Sequence, residues 1–222
     1  MKKVVIASLL SGMVGFSFAD TFQDFNNNAY LEYNLVSPNS GSYGNYSAYG
    51  VGGTFQSKTN VWANASAYSG TGALNSNGGL AYSASSLDLR AGYAFQFFNN
   101  DSNGFQIVPY GEFTSGNITV ASSGGNASYQ TYGVGVIPEY RLLDSLLLGL
   151  DFGLGGTNYG DTAINNGSSQ QMYYQVAPMI QYDIGKTILL GLTYNYSNAF
   201  NSSNSNTQYG NSVLTAKVGY LF

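Results

Sequence analysis

Histidine and cysteine are both absent from the 222 residues of this sequence. Without histidine there is no Ser-His-Asp triad and no imidazole ligand for a metal. Without cysteine there is no disulfide, no thiol nucleophile and no thiolate zinc site. These absences exclude most enzymatic mechanisms, so we expect no catalytic residues, no cofactor, no metal site and no enzymatic activity.

Charge is also scarce, since charged residues make up 8% of the sequence. The seven basic residues include Lys2 and Lys3, which lie in an N-terminal segment that we expect to be removed. The eleven acidic residues then exceed the five remaining basic ones, which gives a net charge of −6. No basic cluster could follow a phosphate backbone, so a nucleic-acid partner is not expected.

The one extended apolar run, Val4 to Phe18, is shorter than the roughly 20 residues that a membrane-spanning helix needs. Lys2 and Lys3 precede it, and Ser17-Phe18-Ala19 places small residues at both specificity positions for cleavage. This arrangement predicts a signal peptide over residues 1–19 and a mature chain that begins at Asp20. Residues 20–222 fit a single domain.

Gly and Tyr are abundant, with 29 and 20 residues, and Asn and Ser are frequent too. Disordered and amyloid-like chains share such a composition. Here, however, apolar residues keep an alternating phase over ten separate segments, which predicts half-buried β-strands. The clearest segment has its apolar residues at Leu87, Leu89, Ala91, Tyr93, Phe95 and Phe97.

The connections between these segments alternate between long and short along the chain. A polar lead at 20–28 comes first, and the long connections are 37–41, 69–79, 115–127, 155–170 and 198–209. Membrane barrels show this asymmetry between their two ends. We predict an all-β fold, a transmembrane antiparallel up-and-down β-barrel of ten strands, with eight or twelve strands as the alternatives.

The segment Val213 to Phe222 keeps its alternation to the last residue. Its apolar row is Leu214, Ala216, Val218, Tyr220 and Phe222. The pattern resembles the closing strand of bacterial outer-membrane β-barrels, a superfamily with OmpA-like, opacity-protein-like and porin-like members. In that superfamily a terminal Phe and alternate apolar residues form the signal that the barrel-assembly machinery recognises. The resemblance implies this role for Leu214, Val218, Tyr220 and Phe222.

The same resemblance implies an integral protein of a Gram-negative outer membrane, with long loops outside the cell and both termini in the periplasm. The implied partners are outer-membrane lipid, lipopolysaccharide and, during biogenesis, the barrel-assembly machinery. Outer-membrane proteases, phospholipases and lipid A acyltransferases or deacylases generally rely on a catalytic His. This sequence lacks that residue, so their activities are not carried over.

Charged residues within the predicted strands test which face of each strand points to lipid. A Lys or Arg on the lipid face costs about 2 to 4 kcal/mol at the midplane. All of them fall on the less apolar face and form a predicted lumen charge network: Glu32, Asp88, Arg90, Glu112, Glu139, Arg141, Asp151 and Lys217. A structural network is favoured over an acid-base pair, because charges in a narrow barrel must pair or stay hydrated.

Two ion pairs are expected within this set. Pairing across the turn 99–104 places Arg90 opposite Glu112 on the inward face. Closure of a ten-stranded barrel pairs the first strand with the last, which places Glu32 near Lys217.

Aromatic and proline positions give two further expectations. Outward aromatic residues fall near strand ends and predict two interfacial girdles: Phe55, Phe97, Phe105, Tyr140, Tyr182 and Phe222 at the turn end, and Phe113, Tyr132, Tyr174 and Tyr196 at the loop end. Each proline within a strand removes a ladder hydrogen bond, so bulges or weakened pairing are expected at Pro109, Pro138 and Pro178.

Ten strands are closer to the 8-stranded barrels that side chains fill than to the 16-stranded porins, so a wide pore is not expected. The leading hypothesis is a structural or surface-interaction, adhesin-like protein that displays long polar loops and has a host or surface ligand of unknown identity. A narrow passive channel for ions or small solutes is the alternative. A soluble secreted β-protein is a weaker one.

Overall fold

The computed structural model describes residues 21–38, 44–73, 81–100, 103–120, 126–160, 170–200 and 211–222. The predicted signal peptide lies outside these ranges. One helix, α1 (Thr21–Asn26), precedes the strands. The strands are β1 (Asn28–Pro38), β2 (Tyr46–Gln56), β3 (Val61–Ala73), β4 (Ala81–Tyr93), β5 (Phe95–Asn99), β6 (Gly104–Val120), β7 (Asn126–Leu143), β8 (Leu146–Tyr159), β9 (Gln170–Ile184), β10 (Ile188–Ala199) and β11 (Asn211–Leu221).

The strands form one antiparallel sheet that closes on itself. Consecutive strands pair from β1 to β4 and from β5 to β11, β4 pairs with β6, and β1 pairs with β11. The short strand β5 continues the line of β4 along β6, so the barrel has ten strands plus this short segment. The predicted fold class is therefore confirmed, and the closing seam pairs Glu32 directly with Lys217.

The strands are longer than the alternation of the sequence indicated. Segments that we predicted as parts of loops are strand, namely 37–38, 69–73, 115–120, 126–127 and 155–159. These segments consist mainly of Gly, Ser, Thr and Asn and lack an apolar face. A strand that extends beyond the hydrocarbon layer needs ladder hydrogen bonds but no apolar side chains, so hydrophobic alternation ends before the strand does.

Three prolines explain where pairing lapses. Between β7 and β8 the pairing is interrupted at Ile137 and Pro138, and between β9 and β10 it is interrupted at Ala177 and Pro178. Pro109 lies in the gap along β6 between the pairing with β4, which ends at Gly92 and Tyr110, and the pairing with β5, which begins at Phe95 and Ile107. The predicted weakening is confirmed, because proline cannot donate a ladder hydrogen bond. The two bulges lie elsewhere, at 96–98 and 141–143.

The outer wall is apolar, as the predicted phase requires. Leu31, Tyr49 and Leu154 are 60%, 70% and 53% exposed, and the charged residues of the described strands all point to the other side. Aromatic rings pair across neighbouring strands near both ends. Phe97 and Phe105 have ring centres 5.5 Å apart at the turn end, and the remaining pairs include Phe113 with Tyr132 and Tyr174 with Tyr196 at the loop end.

The polar lead predicted at 20–28 is wrong for residues 21–26, which form α1. Phe22 and Phe25 lie three positions apart, so their side chains share one face of the helix. Both are fully buried inside the barrel. Among the described residues no helix has the length and apolar character needed to cross a membrane.

Candidate functional site in the barrel lumen

Helix α1 plugs the lumen at the end where the short turns lie. Phe22 and Phe25 pack against Leu147, Leu189 and Leu221. These three leucines come from the first residues of β8 and β10 and the last residue of β11. The apolar contacts therefore hold α1 inside the turn end of the barrel.

Amide and carboxylate groups hold the plug to the wall. Asn26 Nδ2 donates to Gln56 Oε1 at 2.8 Å and to Glu139 Oε2 at 3.2 Å. Gln106 Nε2 donates to the same Glu139 oxygen at 2.5 Å. Gln23, three residues earlier in the helix, donates from its Nε2 to the carbonyl of Ser57 at 3.1 Å. Every partner lies in or next to a turn-end strand segment, so these bonds fix α1 in place.

Asn27 links the plug to the end of β2 and to the last residue of the chain. Its side-chain oxygen accepts a hydrogen bond from the backbone N–H of Gln56 at 2.9 Å. Its backbone carbonyl accepts one from the N–H of Phe222 at 3.0 Å. The last residue of the chain is thereby attached to the segment that leads from α1 into β1.

A second apolar layer lies around Trp62, which is 4% exposed. Its buried neighbours are Ala94, Val108, Tyr110 and Ile137, with Met179 packed against them. The strands that supply these residues surround the lumen from several sides. These side chains form a second buried apolar layer, and Trp62, Ile137 and Met179 also line the lumen cavity.

Arg90 is the centre of a charge cluster above this layer. Its guanidinium contacts three carboxylates, Asp151 at 2.8 Å, Asp88 at 3.3 Å and Glu112 at 3.4 Å. The predicted Arg90–Glu112 pairing is confirmed, since the two residues are direct partners between β4 and β6. The contact with Asp151 reaches β8, which is not a neighbour of β4, so the cluster braces the lumen.

Each of the three carboxylates also accepts a hydroxyl. Tyr110 donates to Asp151 Oδ1 at 2.5 Å and Thr114 donates to Asp88 Oδ1 at 3.2 Å. Tyr173 donates to Glu112 Oε1. Charged acceptors buried in a barrel are costly unless they are bonded in this way. Arg90 and these three hydroxyls hold the carboxylates in a structural network.

Lys217 and Glu32 form a separate ion pair at the closing seam. The Nζ and Oε2 atoms are 4.0 Å apart, as expected from the sequence. Lys217 Nζ also lies 4.3 Å from the centre of the Tyr30 ring. Asn34 Nδ2 donates to the other Glu32 oxygen at 3.2 Å.

The remaining two charged residues of the predicted network lie at the turn end, away from the Arg90 cluster. Glu139 holds the plug. Arg141 is fully buried and pairs with Asp144 at 2.9 Å and with Asn99 Oδ1 at 3.2 Å. The eight predicted residues therefore divide into a central cluster of four, a seam pair and two turn-end residues. Asp183, near the end of β9, is a further buried acidic residue.

Inward glycines make room for these long side chains. A Cβ atom at Gly133 would come within 2.6 Å of Glu112 Oε1, and one at Gly50 would come within 2.7 Å of Glu32 Oε1. Contacts this short do not occur in real structures, so an inward side chain at either position would displace a carboxylate of the ion pairs. The glycine-rich composition thus serves the lumen.

A cavity of about 450 Å³ extends from the plug toward the loop end. Asn26 and Glu139 lie at its base, the Arg90 cluster lines its middle, and Pro38 and Asn211 lie at its loop end. Sequence reasoning did not find its tyrosine lining, which is Tyr30, Tyr46, Tyr68, Tyr82, Tyr129, Tyr159 and Tyr173. The sequence did contain an indication of this lining, because these tyrosines lie at the same alternate positions of the strands as the inward charged residues.

Two other expectations concern the strand β11 and metals. Leu214, Val218 and Tyr220 point outward and are exposed, while Phe222 follows the strand. Their role as an assembly signal stays a prediction. Within the ranges that the structure describes, no group of three or more acidic side chains is arranged to hold a metal ion.

Neither a family model nor a curated protein matches this sequence. Among solved structures, the chain is similar to the outer-membrane protease OmpT from Escherichia coli, with 12% identity, a TM-score of 0.52, and 95% of this chain and 100% of that chain covered. It is similar to the transport unit of the Escherichia coli autotransporter AIDA-I, with 8% identity, a TM-score of 0.53, and coverage of 97% and 98%. It is also similar to the β domain of the Bordetella autotransporter BrkA, with 12% identity, a TM-score of 0.51, and 89% of this chain and 100% of that chain covered. These similarities establish the fold of an outer-membrane β-barrel and support an integral outer-membrane location.

Proposed function

We propose that this chain, whose fold is that of an outer-membrane β-barrel, is an integral outer-membrane protein with a structural or surface-interaction role and does not conduct. The supporting observation is the filled turn end of the lumen, where α1 packs Phe22 and Phe25 against three wall leucines. A solute that enters from the loop end reaches the Arg90 brace and then the plug. The absence of His and Cys from the sequence supports a non-enzymatic role.

The surface-interaction part of the proposal rests on the connections at the loop end. They are rich in Asn, Ser, Gly and Tyr, which together make adaptable contact surfaces. In this proposal they face the cell exterior and both termini lie in the periplasm, as an even number of strands requires.

Conductance in planar bilayers tests the non-conducting role. We expect refolded wild-type protein to give no discrete openings. A variant that lacks residues 21–26 is the positive control, because it removes the plug and leaves the strands unchanged. Steady openings from the wild type would contradict the proposal and favour a narrow passive channel. The observation that favours that second candidate is the cavity above the plug.

Orientation can be tested with single cysteines, because the sequence has none. Lys58→Cys lies in the turn between β2 and β3, and Ser168→Cys lies between β8 and β9. A membrane-impermeant maleimide added to intact cells should label Cys at position 168. Position 58 should be labelled only after the outer membrane is permeabilised. The opposite result would reverse the proposed orientation.

A further inference from the structure

We propose that the lumen cavity binds a small organic cation that carries ammonium groups. Among the described residues that line it, five are carboxylates and two are cations, a formal net charge of −3. The carboxylates are Glu32, Asp88, Glu112, Glu139 and Asp151, and the cations are Arg90 and Lys217. A cleft with low-dielectric walls focuses such a charge, which favours entry of a cation over a neutral molecule or an anion.

The two cationic side chains of the cavity demonstrate how this wall holds positive charge. Lys217 Nζ lies 4.3 Å from the ring centre of Tyr30 and 4.0 Å from Glu32 Oε2. Arg90 Cζ lies 5.1 Å from the ring centre of Tyr110 while its nitrogens contact three carboxylates. In both cases one aromatic face and at least one carboxylate bind the same cation, which is the combination that also recognises ammonium ligands.

The cavity has more carboxylates and aromatic rings than its own two cations use. More carboxylates than cations line the cavity, and further tyrosine rings line it toward the loop end, including Tyr46, Tyr68, Tyr129 and Tyr173. Tyr173 lies beside the cluster, since its hydroxyl donates to Glu112. An external cation in this region would therefore meet both an aromatic face and unneutralised negative charge.

Two amide oxygens on the opposite wall lack hydrogen-bond donors. Gln181 of β9 and Asn195 of β10 line the cavity, and their Oε1 and Oδ1 atoms are buried with no hydrogen-bond partner among the described residues. An ammonium group carries three donors and no acceptor. Because a buried acceptor without a donor is costly, a bound ammonium could supply the missing bonds.

The single tryptophan of the chain provides a reporter inside the cavity, because Trp62 lines it. Refolded full-length mature protein in uncharged detergent should be titrated with 1,4-diaminobutane, 1,4-butanediol and succinate, which share a four-carbon skeleton. We expect 1,4-diaminobutane to change the Trp62 emission in a saturable way, with one molecule bound per barrel by calorimetry. The diol and the dianion should leave it unchanged. No saturable change, or equal binding of the diol, would overturn the proposal.

Charge variants locate the site. Glu112→Gln should weaken binding about tenfold, because it removes one unit of negative charge near the ligand. Asp144→Asn makes the same charge change at an exposed turn residue and should leave binding unchanged. If Glu112→Gln does not fold, Tyr46→Leu removes one aromatic face instead and should also weaken binding. Equal affinity in the wild type and both cavity variants would place the cation elsewhere and refute the site.

Discussion

The two halves of the lumen contrast in how they are filled. At the turn end, α1 and its contacts occupy the space with apolar side chains and amide bonds. Toward the loop end, tyrosines and carboxylates line a cavity of about 450 Å³. The same wall of alternating strands encloses both halves. Alternation therefore determines which residues face inward, whereas the size and chemistry of those residues determine whether the interior is closed or hollow.

The largest loss of stability should follow removal of the plug's apolar face. Replacing Phe22 and Phe25 by Ala leaves cavities in the closed half, and each substitution should cost about 3 to 5 kcal/mol. Urea unfolding of the protein in lipid vesicles, followed by Trp62 fluorescence, measures this loss. Tyr46→Ala in the hollow half is the matched control and should cost clearly less, since Tyr46 borders the cavity and is packed on fewer sides. Equal losses would mean that the two halves do not differ in packing.

The next largest effect should come from the wall that both halves share. Leu150 and Leu89 are outward residues, so Leu150→Arg or Leu89→Arg places a charge in lipid at a cost of about 2 to 4 kcal/mol. We expect either variant to be recovered from the outer membrane at a much lower yield than wild type. Gln96→Arg, on the inward face, should insert almost normally. Normal insertion of Leu150→Arg would show that our phase for β8 is wrong.

A smaller effect should follow loss of the amide bonds in the closed half. Asn26→Leu removes the donor to Gln56 and Glu139 and leaves a buried carboxylate less satisfied, which should cost about 1 to 3 kcal/mol. Thr114→Val removes a hydroxyl from Asp88 in the hollow half, where solvent can replace it, and should cost less. The same urea measurement compares them. A larger loss for Thr114→Val would reverse the contrast between the halves.

The smallest effect on the folded barrel should come from deletion of Phe222. It removes one backbone hydrogen bond to Asn27, worth about 0.5 to 1.5 kcal/mol. Assembly in cells should suffer far more, if the C-terminal residues form the predicted signal. For both chains, the outer-membrane yield is measured in cells, and the stability to unfolding is measured on protein refolded in detergent. Equal yields for the full-length and truncated chains would argue against the signal.

Alternation predicted the inward and outward faces because lipid penalises every charged residue that points the wrong way. The ion pairs at Arg90 and at Lys217 followed from register, since each cation has one direct partner across a strand pair. Contacts across the lumen, such as Arg90 with Asp151, depend on the curvature of the closed barrel. The register between neighbouring strands does not determine that curvature, so the sequence did not predict the contact between Arg90 and Asp151.

Helix α1 was not predictable for a related reason. A segment of six residues is too short to be a stable helix by itself, so its helical form depends on the leucines that receive Phe22 and Phe25. Those leucines are distant in sequence and occupy single inward positions in strands that otherwise carry small or polar inward residues. From the sequence alone, the segment before β1 was recognisable only as mainly polar, and nothing indicated which residues Phe22 and Phe25 contact.

The bond between Asn27 and Phe222 has a consequence for the order of events during biogenesis. Until the final residues of the chain arrive, α1 lacks both this bond and the side chain of Leu221. The plug consequently cannot be fully seated on an incomplete sheet. We therefore expect the pairing of β1 with β11 and the full seating of α1 to occur together, as a late step of assembly.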